Sequence, residues 1–152
     1  MGIFRKKLPK ILDDPKLIEL YEMLVQIKSM NSSLDNQMNK ERALEIARAC
    51  DKFDTVFQTE LGENFMLRVN HADLASYKYI QSWIMDINGI KTHNLGTYII
   101  LWAQEHKDAK KKEVEAEFAR ITSGMRKSSY GGHAPNLHSA LSYHNIDSTK
   151  LS

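Results

Sequence analysis

Prolines stand only at positions 9, 15 and 135, so the interval between Pro15 and Pro135 lacks the residue that most strongly breaks helices. An interior proline costs a helix about 3 kcal/mol, because it removes a backbone donor and its ring collides with the preceding turn. Long helices are therefore permitted across the whole interval. Glycine supplies the expected stops. Gly62, Gly89 and Gly124 each follow a segment of helical apolar spacing, where a left-handed terminating residue is favoured. The pattern predicts an all-α, four-helix bundle-like domain over residues 13–124.

The first predicted helix opens with Asp14 as cap and Pro15 at its first position and runs to about Met30. Leu17, Leu20, Tyr21, Leu24 and Ile27 share one face, with Ile18 and Val25 widening the stripe. A polar connection, Asn31 to Asn39, leads to a second helix from Lys40 to Leu61. Ala43, Ile46, Ala47, Cys50, Phe53 and Phe57 lie on its inner side, and Glu41, Glu45, Arg48 and Lys52 face away. Residues 63–69, ENFMLRV, fit a short strand or a helical turn equally well. A third helix, capped by Asn70, is expected to reach Asn88 on the line Leu74, Tyr77, Ile80 or Gln81, Ile84 and Ile87, with Trp83 on the flank. The segment KTHNLG then reads as a polar turn into a fourth helix from Thr97 to Thr122. Tyr98, Ile99, Leu101 and Trp102 begin it, and Val114, Phe118 and Ile121 resume its apolar face beyond a charged middle, HKDAKKKE.

Composition separates the middle from the ends. An apolar share of 42% and a charged share of 26% match a folding chain. The net charge of +2 is uneven: residues 1–12 carry +4 and residues 125–152 carry +2, which leaves −4 for residues 13–124. A folded surface that wraps nucleic acid needs clustered Lys and Arg, so an acidic middle argues against that role for the bundle. Cys50 is the single cysteine, which excludes an intramolecular disulfide and fits a reducing compartment. No apolar run is long enough to span a membrane, and the N-terminal dozen residues lack the shape of a signal peptide. The expected location is cytoplasmic or virion-associated.

The residues that carry chemistry form no recognised constellation. His133, His138 and His144 fall within twelve positions, but in a Gly- and Ser-rich segment with no cysteine to complete a ligand set. Glu41 with Glu45, and Glu113 with Glu117, share helix faces, yet no glutamate has a histidine three positions on, as a di-iron bundle requires. Cys50 sits on an apolar face with no base assigned to it. Nucleophile-elbow and phosphate-loop glycine patterns are missing. A helix-turn-helix would need a polar, basic start to its second helix, whereas Thr97 to Trp102 is apolar. No catalytic residue, metal ligand, cofactor or small-molecule substrate is assigned.

Function is therefore expected at the extensions. The basic N-terminal arm, residues 1–12, alternates Arg5, Lys6, Lys7 and Lys10 with Ile3, Phe4, Leu8, Ile11 and Leu12. Its apolar residues suit docking on a neighbouring protein, with Ile3, Phe4, Arg5, Lys6, Lys7 and Lys10 as contact residues. Residues 125–152 read as a flexible tail, and its island at 136–144 offers Leu137 and Leu141 to a partner or to the chain's own bundle. The reading is a helical protein–protein interaction or assembly protein, a form shared by accessory proteins of viruses and mobile elements. One alternative is a nucleic-acid-binding accessory protein using Lys107, Lys110, Lys111 and Lys112. The other is a peripheral membrane protein whose arm lies on anionic lipid. Lys6 stands where an acylation signal prefers Ser or Thr.

Overall fold

Asn39 accepts a hydrogen bond from the Arg42 amide (2.8 Å) and so starts the helix around which the rest is arranged. The computed structural model describes residues 15–32, 38–61, 74–126 and 135–150. These build α1 (Pro15–Ser32), α2 (Lys40–Val56), α3 (Leu74–Glu105), α4 (Lys111–Thr122) and α5 (Leu137–Ser142), with a π turn at Phe57–Leu61 and a 3₁₀ turn at Ser148–Lys150. No strand occurs among the described residues. Asp14 and residues 63–69 lie outside them.

The helices α1 and α2 follow the apolar spacing closely. Leu17, Leu20, Leu24 and Ile27 of α1 are buried, as are Ala43, Ile46, Ala47, Cys50, Phe53 and Phe57 from α2 and its π extension. Helices α2 and α3 run antiparallel. Lys40 meets Glu105 at one end (3.2 Å), and Asp54 meets Lys91 farther along (2.9 Å). Helix α1 covers one end of this pair, with Lys28 on Asp86 (2.8 Å), and its last turn reaches the start of α2, where the Arg42 guanidinium meets the Met30 carbonyl (2.9 Å). Its side chains join Cys50, Phe53, Ile80, Trp83, Ile84 and Ile87 in a first apolar core. At the other end, α4 and α5 cover Ala43, Leu44 and Ala47 of α2 and Leu95, Tyr98 and Ile99 of α3. They add Val114, Phe118, Ile121, Ala140 and Leu141 as a second core.

The expected third and fourth helices need correction. Gly89 and the segment KTHNLG do not interrupt the chain, because one helix runs from Leu74 to Glu105, about 48 Å at 1.5 Å per residue. Its polar residues find partners at depth. Lys91, 2% exposed, donates to Asp54 (2.9 Å), Asp51 (3.3 Å) and the Arg126 carbonyl (2.9 Å). Asn94, fully buried, donates to Asn31 Oδ1 (2.9 Å) and to the Ile90 carbonyl (2.8 Å). Thr92 and Thr97 return their hydroxyls to carbonyls four residues back. Tertiary partners thus outweigh a local preference of about 1 kcal/mol per glycine.

The break falls at the charged middle of the expected fourth helix. After His106 the chain turns, Ala109 donating to the His106 carbonyl (2.9 Å), and Glu113 reaches back to the Lys110 amide (3.1 Å) to start α4. Gly124, at φ +83°, follows α4 in the left-handed conformation expected of a terminator. The island at 136–144 folds as α5, with Asn136 accepting from the Ser139 amide (2.8 Å). It packs on the chain's own helices. Asn145, at φ +60°, turns the chain so that the Ile146 amide reaches the Leu141 carbonyl (3.0 Å) and Ile146 lies against the second core.

Candidate functional site

Helix α1 has more apolar residues than one face can bury. Leu17, Leu20, Leu24 and Ile27 turn inward, while Ile18 (43% exposed) and Val25 (49%) stand on the outer side with half-buried Tyr21 between them. The spacings of three and four place these three residues in a stripe of their own. An open groove of about 530 Å³ runs beside it, lined by Tyr21, Glu22, Val25, Gln26 and Ser29. A second groove of about 400 Å³ lies toward α2, with Met23, Met30 and Ala49 among its lining residues and Glu45, Arg48 and Lys52 contributing charge. The first core supports the stripe from beneath, as Tyr21 lies 5.4 Å from Trp83, centroid to centroid, and Tyr79 meets the same indole edge-on at 5.4 Å.

The residues singled out in the sequence are scattered. Ile3, Phe4, Arg5, Lys6, Lys7 and Lys10 fall outside the described residues. Leu141 is 2% exposed within the second core and Leu137 packs against its edge, so these side chains are engaged within the chain itself. Lys107 and Lys110 in the α3–α4 turn and Lys112 in the first turn of α4 are exposed, and Lys111 is half-buried. Beside them Trp102 stacks on His106 at 4.1 Å.

The tail histidines do not converge. His138 Nδ1 meets the Ser148 hydroxyl (3.1 Å), whereas His144 packs on His93 of α3 at 4.5 Å between ring centroids. His133 is outside the described residues. Glu113 and Glu117 also have separate tasks. Glu113 caps α4, while Glu117 takes two bonds from Arg120 (2.8 and 2.6 Å) and one from the Tyr98 hydroxyl (2.5 Å). The Arg120 guanidinium holds the Glu117 carboxyl below its ordinary range. Burial pushes the Cys50 thiol up to about 12, so at neutral pH it is a packed, protonated side chain.

Sequence reasoning placed Ile18 and Val25 on the margin of the buried stripe. Their own three-and-four spacing was the signal for a second face. Among the described residues, no helix is long and apolar enough to cross a membrane. The fold is all-helical, built on the antiparallel α2–α3 pair with α1 at one end and α4 and α5 at the other. Comparison with known proteins gives no match to any family model, curated protein or solved structure.

Proposed function

We propose that this chain is a small helical interaction or assembly protein that acts by presenting surfaces to a protein partner or to further copies of itself. The observation that carries the reading is the stripe Ile18, Tyr21 and Val25 on the outer face of α1. Two branched apolar side chains are left nearly half in water beside an open groove, on a helix whose inner face is already used. Clustered apolar exposure of this kind is characteristic of association surfaces. The sequence adds the basic, apolar arm of residues 1–12 immediately before α1, so arm and stripe are neighbours along the chain.

The test uses the full-length protein and the double variant Ile18→Glu/Val25→Glu, whose positions are exposed and tolerate charge in an isolated chain. Sedimentation and affinity capture from native extract are compared for the two. The expected result is loss of self-association, or loss of specific captured proteins, in a variant that retains its helical circular dichroism. A parent chain that stays monomeric and captures the same proteins as the variant would overturn the reading.

A second reading, nucleic-acid binding, draws support from the exposed lysines of the α3–α4 turn. It predicts affinity that falls steeply with salt and a shallower salt slope after Lys107→Ala/Lys110→Ala/Lys112→Ala. An unchanged slope in that variant counts against it.

A further inference from the structure

The contact between α5 and α3 has no space to spare. A Cβ placed on Gly96 would collide with the Ala140 carbonyl oxygen and come within 2.7 Å of His144 Cδ2, so the backbone of α5 and its exit turn lie directly on α3. The six-residue α5 is held there mainly by Ala140 and Leu141, with Leu137 and Ile146 at the margin. Beside this apolar contact sit two imidazoles, His93 from α3 and His144 from the exit turn, with centroids 4.5 Å apart and planes inclined by 33°.

Hydrogen bonding determines where the protons lie. The Thr97 hydroxyl donates to the His93 carbonyl (3.1 Å), and His144 Nε2 approaches that same carbonyl (2.9 Å) and the Thr97 oxygen (3.3 Å). With the hydroxyl proton committed, both neighbours present lone pairs to Nε2, which must carry a hydrogen. A further proton on His144 therefore goes to Nδ1, and the ring keeps its bonds as a cation. One positive charge fits this contact. A second, on His93, would face the first at ring-stacking distance.

We propose that the His93–His144 pair makes docking of α5 sensitive to pH, holding the segment at neutral pH and loosening it in mild acid. The groups facing His93 from the α5 side are His144 and, toward Gly89, the neutral Tyr143 hydroxyl; its neighbour on α3 is neutral Thr97. Lys91, the nearest cation along α3, is committed to Asp51 and Asp54 of α2. His144 opposes a positive charge on His93, whose ring is partly open to solvent. Desolvation first, and the charge of His144 second, hold the His93 imidazole below its ordinary value. An unfolded or undocked His93 titrates near 6.5. The neutral ring's contribution to docking is therefore complete above about pH 6.5 and is lost as pH falls through the lower docked value.

Native-state hydrogen exchange of the full chain at pH 7.5 and 5.5, corrected for intrinsic rates, tests this. The Ala140, Tyr143, His144 and Ile146 amides report on α5 and its exit turn, and the Phe53 and Ile84 amides report on the first core. The expected result is a several-fold loss of α5 protection at the lower pH, with core protection unchanged. His93→Gln, and independently His144→Gln, are expected to abolish that pH dependence. Equal α5 protection at both pH values in the parent chain overturns the proposal whatever the variants do. So does a full loss of protection that persists in both variants.

Discussion

Replacing Lys91 with alanine is expected to lower the stability of the protein by about 3–5 kcal/mol, the cost of breaking a buried ion pair by removing one partner. Asp54 is 1% exposed and lies 2.9 Å from the Lys91 ammonium, so the substitution removes the cation set against a buried carboxylate. Asp51 is less affected, because it is 21% exposed and also accepts from the Arg126 amide (2.7 Å). Urea unfolding followed by circular dichroism measures the loss. The double variant Lys91→Met/Asp54→Leu separates two explanations. If the penalty comes from the buried negative charge that remains, removing both charges restores most of the stability, since apolar replacement of a buried pair is often neutral or better. A loss below about 1 kcal/mol for Lys91→Ala would place this pair with surface ion pairs and contradict the geometry.

Gly96→Ala is the second large effect, expected to destabilise by about 1–3 kcal/mol through overpacking against a backbone that has no rotamer to change. The obstacle is the Ala140 carbonyl, fixed within α5, so relief requires the segment to lift. Gly89→Ala is the matched control on the same helix. Its nearest foreign atom is the Tyr143 hydroxyl oxygen at 3.4 Å, at the mobile end of a half-exposed side chain. Alanine there gains helix propensity, and thermal unfolding is expected to show a neutral effect or a stabilisation of up to about 1 kcal/mol. Opposite signs for the two glycines would show that close approach, and not a need for chain flexibility, accounts for Gly96. Equal effects would remove α5 as the cause.

These glycines also mark where the fold was legible and where it was not. Helices α1 and α2 could be read because their apolar positions repeat locally and few polar residues intrude. The second half of α3 could not, since its helicity depends on partners far away in sequence. Lys91 is held by Asp51 and Asp54, and the side-chain nitrogen of Asn94 by Asn31. To a reading confined to neighbouring residues, Lys91 and Asn94 beside Gly89 and Gly96 resemble a turn. The start of α4 did have a local signal in Glu113, three positions after Lys110, but the surrounding lysines obscured it. The candidate surface was half legible. Ile18 and Val25 were recognised as apolar members of α1, but whether a stripe meets a core or water depends on how many neighbouring helices reach it. Leu141 illustrates the same dependence in the opposite direction, being offered to a partner by its sequence context and enclosed by α3 and α4 in the fold.

The clamp on the segment after α4 has a consequence for how this chain can vary. Asp51 holds the amide of residue 126 and Lys91 holds its carbonyl, so the fold reads that position through main-chain atoms alone. The exposed arginine side chain carries part of the tail's positive charge yet has no part in the clamp. Nineteen of the twenty amino acids could occupy position 126 with the clamp intact. The exception is proline, which has no amide hydrogen to give Asp51. A library randomised at this codon and selected for folding is expected to return every residue type except that one.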